Sequence, residues 1–329
     1  MRVTFFLDGE EEPEALAGLD PDRDWRAFQR GERIWILQTF LRLARAGRPV
    51  ELAATPPAEG VVVFHAKHAR ALRQQWRRLG DAVLVGVRAD NREPLIADFE
   101  VVQNGLFADG RRRFHIPHWP QPGIVPRDSG RGTAIRRLVY KGFDQNLHPD
   151  FRLPAWRDFL AVRGIEWGVD SAVFAGRDSD RLALEWPDFR EVDVTLAVRP
   201  RDGRRWTNKP SSKLVNAWLA GVPAMLGPEQ AYRELRRSEL DFFEVSSLAE
   251  AKTAVDRLLA DPGLYRAMVE NGHARAADFT AGALLPQWEK LLFETIPALA
   301  PPRWSRRVPL PLRAAGRWVG RAASLRPAR

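Results

Sequence analysis

The residues best suited to chemistry gather in TNKPSSKLVNAWLAGVPAML, positions 207 to 226, where a short polar run turns abruptly apolar. Leu214, Val215, Ala217, Trp218 and Leu219 fit a buried helix, and Gly221-Val222-Pro223 would end it sharply so that a strand follows. Pro210 suits the first helical turn, where a missing N–H costs nothing, and Ser211 or Ser212 suits the cap. The first amides of a helix are unpaired and electropositive, so this end attracts anions. Lys213 in the first turn opposes the helix dipole, and an anion would relieve that placement. With Lys209 and Asn208 alongside, the assembly suits a diphosphate. A solvated, Ser-capped helix with nearby lysines is the plainer alternative.

Other positions belong to the ends of strands. Lys141 and Gly142, in the turn YKGF, could compensate an anion's charge and let backbone approach it closely. Arg199 ends the strand DVTLAVRP at the edge where open α/β sheets bind ligands, and could neutralise a leaving diphosphate or close a salt bridge. His65 and His68 follow VVVFH, and Asp90 and Asn91 follow the next strand. If an acceptor hydroxyl must lose a proton, His65 or Asp90 is placed to take it. His118, Trp119 and Gln121 could touch an acceptor or pack a hinge, and their Pro-rich setting favours packing. The six His are scattered without metal-ligand spacing, so no metal is expected, and the lack of Cys removes disulfides and thiolate chemistry.

These positions need a frame. Arg2 to Leu7, VVVFHA from Val61 and AVLVGVRAD from Ala82 read as strands, with a helix through Ile34, Leu37, Leu41 and Ala44 and another around Trp76. IPHWPQPGIVPRDSGRG reads as a connection, after which strand and helix alternate again from RRLVYKGF to a closing helix in FTAGALLPQWEKLLFETI. The pattern predicts α/β domains with parallel sheets: an N-terminal domain over 1–125, a C-terminal domain over 126–295 and a tail over 296–329.

The run KPSSKLVNAWLAGVPAMLGPEQAYRELRRSELDFFEVSSLAEAKTAVDRLLADP resembles the donor-binding half of GT-B glycosyltransferases, nearest the group-1, family-4-like type of bacterial polysaccharide clusters. The likeness covers about residues 135 to 295 and reaches the N-terminal half by topology. It implies two Rossmann-like domains with a donor cleft between them, and a nucleotide-sugar donor held by the S-K-x-x-N-A-x-x-A-G-x-P helix and the turn at Lys141. It further implies a glycan or lipid-linked acceptor and no metal or other cofactor. Where the family places two Glu eight positions apart, this chain has Asn208 and Asn216, which can hydrogen-bond hydroxyls but supply no charge. A nucleotide-sugar epimerase of the same architecture and a non-catalytic membrane scaffold are the alternatives.

Charge distribution bears on partners. Of the net +9, +8 lies in 295–329, which has eight Arg and no acidic residue, leaving +1 for the rest. A nearly neutral body argues against nucleic acid. In the tail, Arg313, Arg317 and Arg321 form one helical stripe, with Leu312, Ala315, Val319 and Ala322 on another side and Trp304 and Trp318 as interfacial anchors. The expected place is the cytoplasm, with attachment to an anionic inner-membrane surface, since neither a signal peptide nor a spanning run is read.

Overall fold

The structure is a computed structural model that describes residues 1–9, 13–172, 186–200 and 206–324, with the side chains of 172, 303 and 318–324 outside the description. It divides into one unit of Met1–Trp119 with Ala281–Arg329 and a second of Pro120–Thr280.

The first unit is built on a six-stranded sheet: β1 (Val3–Phe6), β2 (Val50–Ala53), β3 (Val61–His65), β4 (Val83–Val87), β5 (Phe99–Val102) and β6 (Arg113–His115). Their order is β2-β1-β3-β4-β5-β6 and every pairing is parallel. Alternate side chains of a strand face opposite ways, and both faces are covered. Val61, Val63, Val83 and Val85 join Phe5 and Trp35 on one face. Val62, Phe64 and Leu84 join Phe6 and Leu72 on the other.

The second unit carries β7 (Arg137–Phe143), β8 (Glu166–Ala172), β9 (Val194–Ala197), β10 (Ala224–Leu226) and β11 (Phe243–Glu244), also all parallel, in the order β11-β10-β9-β7-β8. One face buries Leu138, Tyr140 and Leu196 with Trp156, Val255 and Met268. On the other, Ala197 and Leu226 meet Leu214 and Trp218 of the Ser212–Ala220 helix. That helix ends as its sequence predicts: Gly221 is left-handed at φ +69°, and Val222 N–H reaches back to the Ala217 carbonyl at 2.9 Å.

The partition differs from the one expected. The closing helix, Ala281–Glu289, belongs to the first unit, because Leu284, Trp288, Leu292 and Ile296 fill its core beside Trp35. Arg48 and Glu289 pair at 2.7 Å on the same side. The division near the linker falls after Trp119, which is 1% exposed and donates its indole N–H to Thr39 Oγ1 at 2.8 Å. This Trp is packing.

The tail also differs. The Leu310–Ser324 helix packs on the first unit through Leu310, and Arg313 and Arg317 both bond Asp98 Oδ1, Arg317 at 2.6 Å. Two members of the arginine stripe therefore face protein. The side chains of Trp318, Val319, Arg321 and Ala322 lie outside the description. Among the described residues no helix is long and apolar enough to cross a membrane.

Candidate functional site

In the second unit β7 leads to β8 on one side and the chain then returns to β9 on the other, so the strand order reverses between β7 and β9. Open α/β sheets bind ligands outside the carboxyl ends of their strands at such a reversal. The side chains there come from three strand ends and one helix start: Tyr140 and Gly142 of β7, Arg199 just beyond β9, Glu229 just beyond β10, and Lys213.

Lys213 is half-buried. Its ammonium lies 5.1 Å from the centre of the Tyr140 ring and donates to the Lys141 carbonyl. Gly142 makes this possible: its φ is +152°, and a Cβ there would stand 2.7 Å from Lys213 Nζ. Burial, with Arg199 nearby, pushes the Lys213 ammonium down to about 7. No carboxylate among the described residues bonds it.

The other expected cations are spoken for. Lys141 turns to the opposite face of the sheet, because neighbouring residues of a strand alternate, and pairs with Asp170 at 2.7 Å over the Phe189 ring. Among the described residues, the cavity on that face, about 630 Å³, sets Arg131, Arg137, Lys141 and Arg190 against Asp128, Asp170, Asp188 and Glu191. Lys141 thus contributes its carbonyl to the Lys213 cluster, while its charge, paired with Asp170, repels the Lys213 ammonium. Arg199 pairs with Glu229 at 3.0 Å and lies over the Trp206 ring at 5.0 Å. The pair is not saturated: Arg199 Nη1 and Glu229 Oε1 are buried without a partner. Burial pushes the Glu229 carboxyl up against the pull of Arg199.

The helix start is uncapped, with Ser211 buried there. Ser211 holds the N-cap position, and its carbonyl accepts the Leu214 amide at 2.9 Å, but its hydroxyl makes no cap bond. Neither Ser211 nor Ser212 caps as predicted, and the first-turn amides keep their anion-binding character. Asn208 and Lys209 lie in the preceding turn, where the Lys209 amide bonds the Trp206 carbonyl at 3.0 Å. Trp206 is itself left-handed at φ +46°, a strained conformation for an aromatic residue. Asn216 follows one turn into the helix with its Oδ1 buried and unpartnered.

Glu229 and Trp206 were not among the residues singled out from the sequence. The signal for Glu229 is LGPE directly after a strand, which puts a carboxylate on the same sheet edge as Arg199. Trp206 carries no such signal.

In the first unit His65 sits at the carboxyl end of β3, where the strand order also reverses. It is 1% exposed; Nδ1 accepts the Lys67 amide at 3.3 Å, and Nε2 is enclosed near Gly31 without a partner. Burial lowers its pKa to about 4. The ring is thus packed inside the first unit, unlike the exposed position expected of a base facing a cleft. Asp90 is exposed after Ala89, whose φ of +48° strains the turn beyond β4.

No protein-family model matches the sequence, and no curated protein matches it. Solved structures do. Sucrose-phosphate synthase from Thermosynechococcus elongatus aligns over 90% of this chain and 99% of its own, with TM-score 0.56 and 12% identity. HepE from Anabaena, in complex with UDP and glucose, aligns over 89% of this chain and 100% of its own, with TM-score 0.53 and 15% identity. HepE in complex with UDP-glucose aligns at TM-score 0.52 and 15% identity over 91% and 100%. The chain has the two-unit α/β fold of the GT-B glycosyltransferases.

Proposed function

We propose that the protein is a glycosyltransferase that moves a sugar from a nucleotide-diphosphate donor to a hydroxyl of a glycan or lipid-linked acceptor. The observation that carries this reading is Lys213: a half-buried ammonium, bonded to no carboxylate among the described residues, at the uncapped start of a helix on the strand-order reversal of a parallel sheet. Burying an ammonium whose nearest carboxylate, Glu229, is already paired with Arg199 is unfavourable, and a diphosphate supplies a counter-charge of its own. The structurally similar HepE, solved in complex with UDP and glucose and with UDP-glucose, supports the same ligand class.

In this reading the diphosphate lies against the amides of Ser212 and Lys213, within reach of the Lys213 ammonium and the spare Nη1 of Arg199. An acceptor oxygen bonds to the anomeric carbon as the bond from that carbon to the diphosphate breaks. Negative charge grows on the leaving phosphate, and these fixed cations and dipoles stabilise it most at that moment. The acceptor proton goes to a base. Asn208 and Asn216 offer hydrogen bonds to ribose or sugar hydroxyls. The positive charge comes from the protein, so transfer without a metal is the expectation. The finer reading is surface-polysaccharide synthesis at the inner membrane face.

Calorimetric titration of UDP and GDP tests it. Wild-type protein should bind one of them, and Lys213→Met should weaken that binding by about tenfold to a hundredfold, the worth of one charged hydrogen bond. Absence of binding by any nucleoside diphosphate would overturn the reading. Incubation with donor alone adds a second readout, since an epimerised sugar nucleotide would assign the site to an epimerase instead.

A further inference from the structure

The described side chains of the Leu310–Ser324 helix, residues 310–317, are oriented the wrong way round for a water-facing helix. Its described arginines, Arg313 and Arg317, turn inward to Asp98, while Pro311, Leu312, Ala315 and Gly316 face out and bring no polar side chain. Leu312 is 64% exposed; four and eight residues earlier, Val308 and Trp304 are 38% and 73% exposed. Arg307 stands exposed between them. Single exposed apolar side chains are ordinary, but a run of them rimmed by arginine marks a surface that meets something else.

Two features select the occupant. Residues 295–329 carry eight Arg and no acid, and although Arg313 and Arg317 face Asp98, Arg307 stands exposed on the face itself, so the segment complements an anionic surface. A second copy of the same face would set like charge against like. The pairing of an exposed Trp with Arg also fits a bilayer interface, where the ring settles at headgroup depth and the guanidinium stays with the phosphates.

We propose that Trp304, Arg307, Val308 and Leu312 form a membrane-docking face of the first unit, lying in the interface of a bilayer that contains anionic lipid. Arg313 and Arg317 hold the face in place from behind and do not touch lipid. The proposal goes beyond sugar transfer and holds or fails apart from it.

Co-sedimentation of the full chain with vesicles decides it. Wild-type protein should partition at least about tenfold more strongly to vesicles of equal parts phosphatidylcholine and phosphatidylglycerol than to phosphatidylcholine alone. Trp304→Ser with Leu312→Ser should lower that partitioning about tenfold or more, and Arg307→Glu should shrink the preference for the anionic vesicles. Unchanged melting temperature and UDP binding in each variant would show that the fold and the donor site are intact. Partitioning that the double variant retains would overturn the proposal. So would a wild-type dimer in analytical ultracentrifugation that the same substitutions dissolve, because the face would then belong to a second copy.

Discussion

Lys213 shows how a functional residue can be costly to the free protein. Its ammonium falls from an ordinary value of 10.5 to about 7 because burial disfavours the charge. The unfolded chain therefore holds this proton up to higher pH than the folded chain does, and stability gains from this group as pH rises from about 7 toward 10.5. Below that window the full cost is present. Lys213→Met should accordingly raise the melting temperature of the nucleotide-free protein at pH 6 to 7 by about 2–4 °C, and the gain should shrink by pH 10. Scanning calorimetry across that range checks it; a lower melting temperature at pH 7 would show the ammonium to be stabilising. Residue type and position pointed to Lys213 in the sequence. What the sequence withheld was which cation stays uncompensated: Lys141 is neutralised through its strand register with Asp170, and Arg199 through a loop 30 residues further on.

At the scale of elements, the helix start and the β7 end act as one device. Ser211 looks like a cap and makes no cap bond, so Ser211→Ala should cost less than about 0.5 kcal/mol in urea denaturation, below the roughly 1 kcal/mol of a working cap. Gly142→Ala should instead leave a folded protein that binds UDP about tenfold or more weakly, because its Cβ would displace the Lys213 ammonium. Equal effects of the two substitutions on binding would separate Gly142 from the site. Helix and strand periodicity made β1, β3, β4, β7 and the Ser212–Ala220 helix legible. β5 and β6 were not read, being four and three residues long without a clear apolar alternation. The Pro262–Ala276 helix was missed for a different reason: it is rich in polar residues, and it packs through Gly272, where an added Cβ would lie 3.0 Å from the Trp218 ring. That contact joins positions far apart in the chain, and no local pattern announces it.

For the whole molecule, the C-terminal segment is part of the first unit's structure. Asp98 is 6% exposed and ties Arg313, Arg317 and the Leu84 amide together, the last at 2.9 Å. Asp98→Asn should destabilise the chain by about 2–4 kcal/mol, since two partly buried guanidinium groups lose their shared counter-charge. Urea denaturation measures this, and an unchanged midpoint would mean that the tail adds nothing to the fold. The sequence made the tail look separate because its arginines outnumber every nearby acid, while their partner stands more than 200 residues earlier. The GT-B architecture was legible from the alternation of strands and helices and from the resemblance. The return of residues 281–324 to the first unit was not, because only the packing of Trp288 and Leu310 against distant strands reveals it.

The most direct test of the account is a crystal structure of the protein with UDP. The account predicts diphosphate oxygens about 3 Å from Lys213 Nζ and from the first amides of the Ser212–Ala220 helix. A nucleotide bound elsewhere, with Lys213 still turned to the Lys141 carbonyl alone, would contradict it.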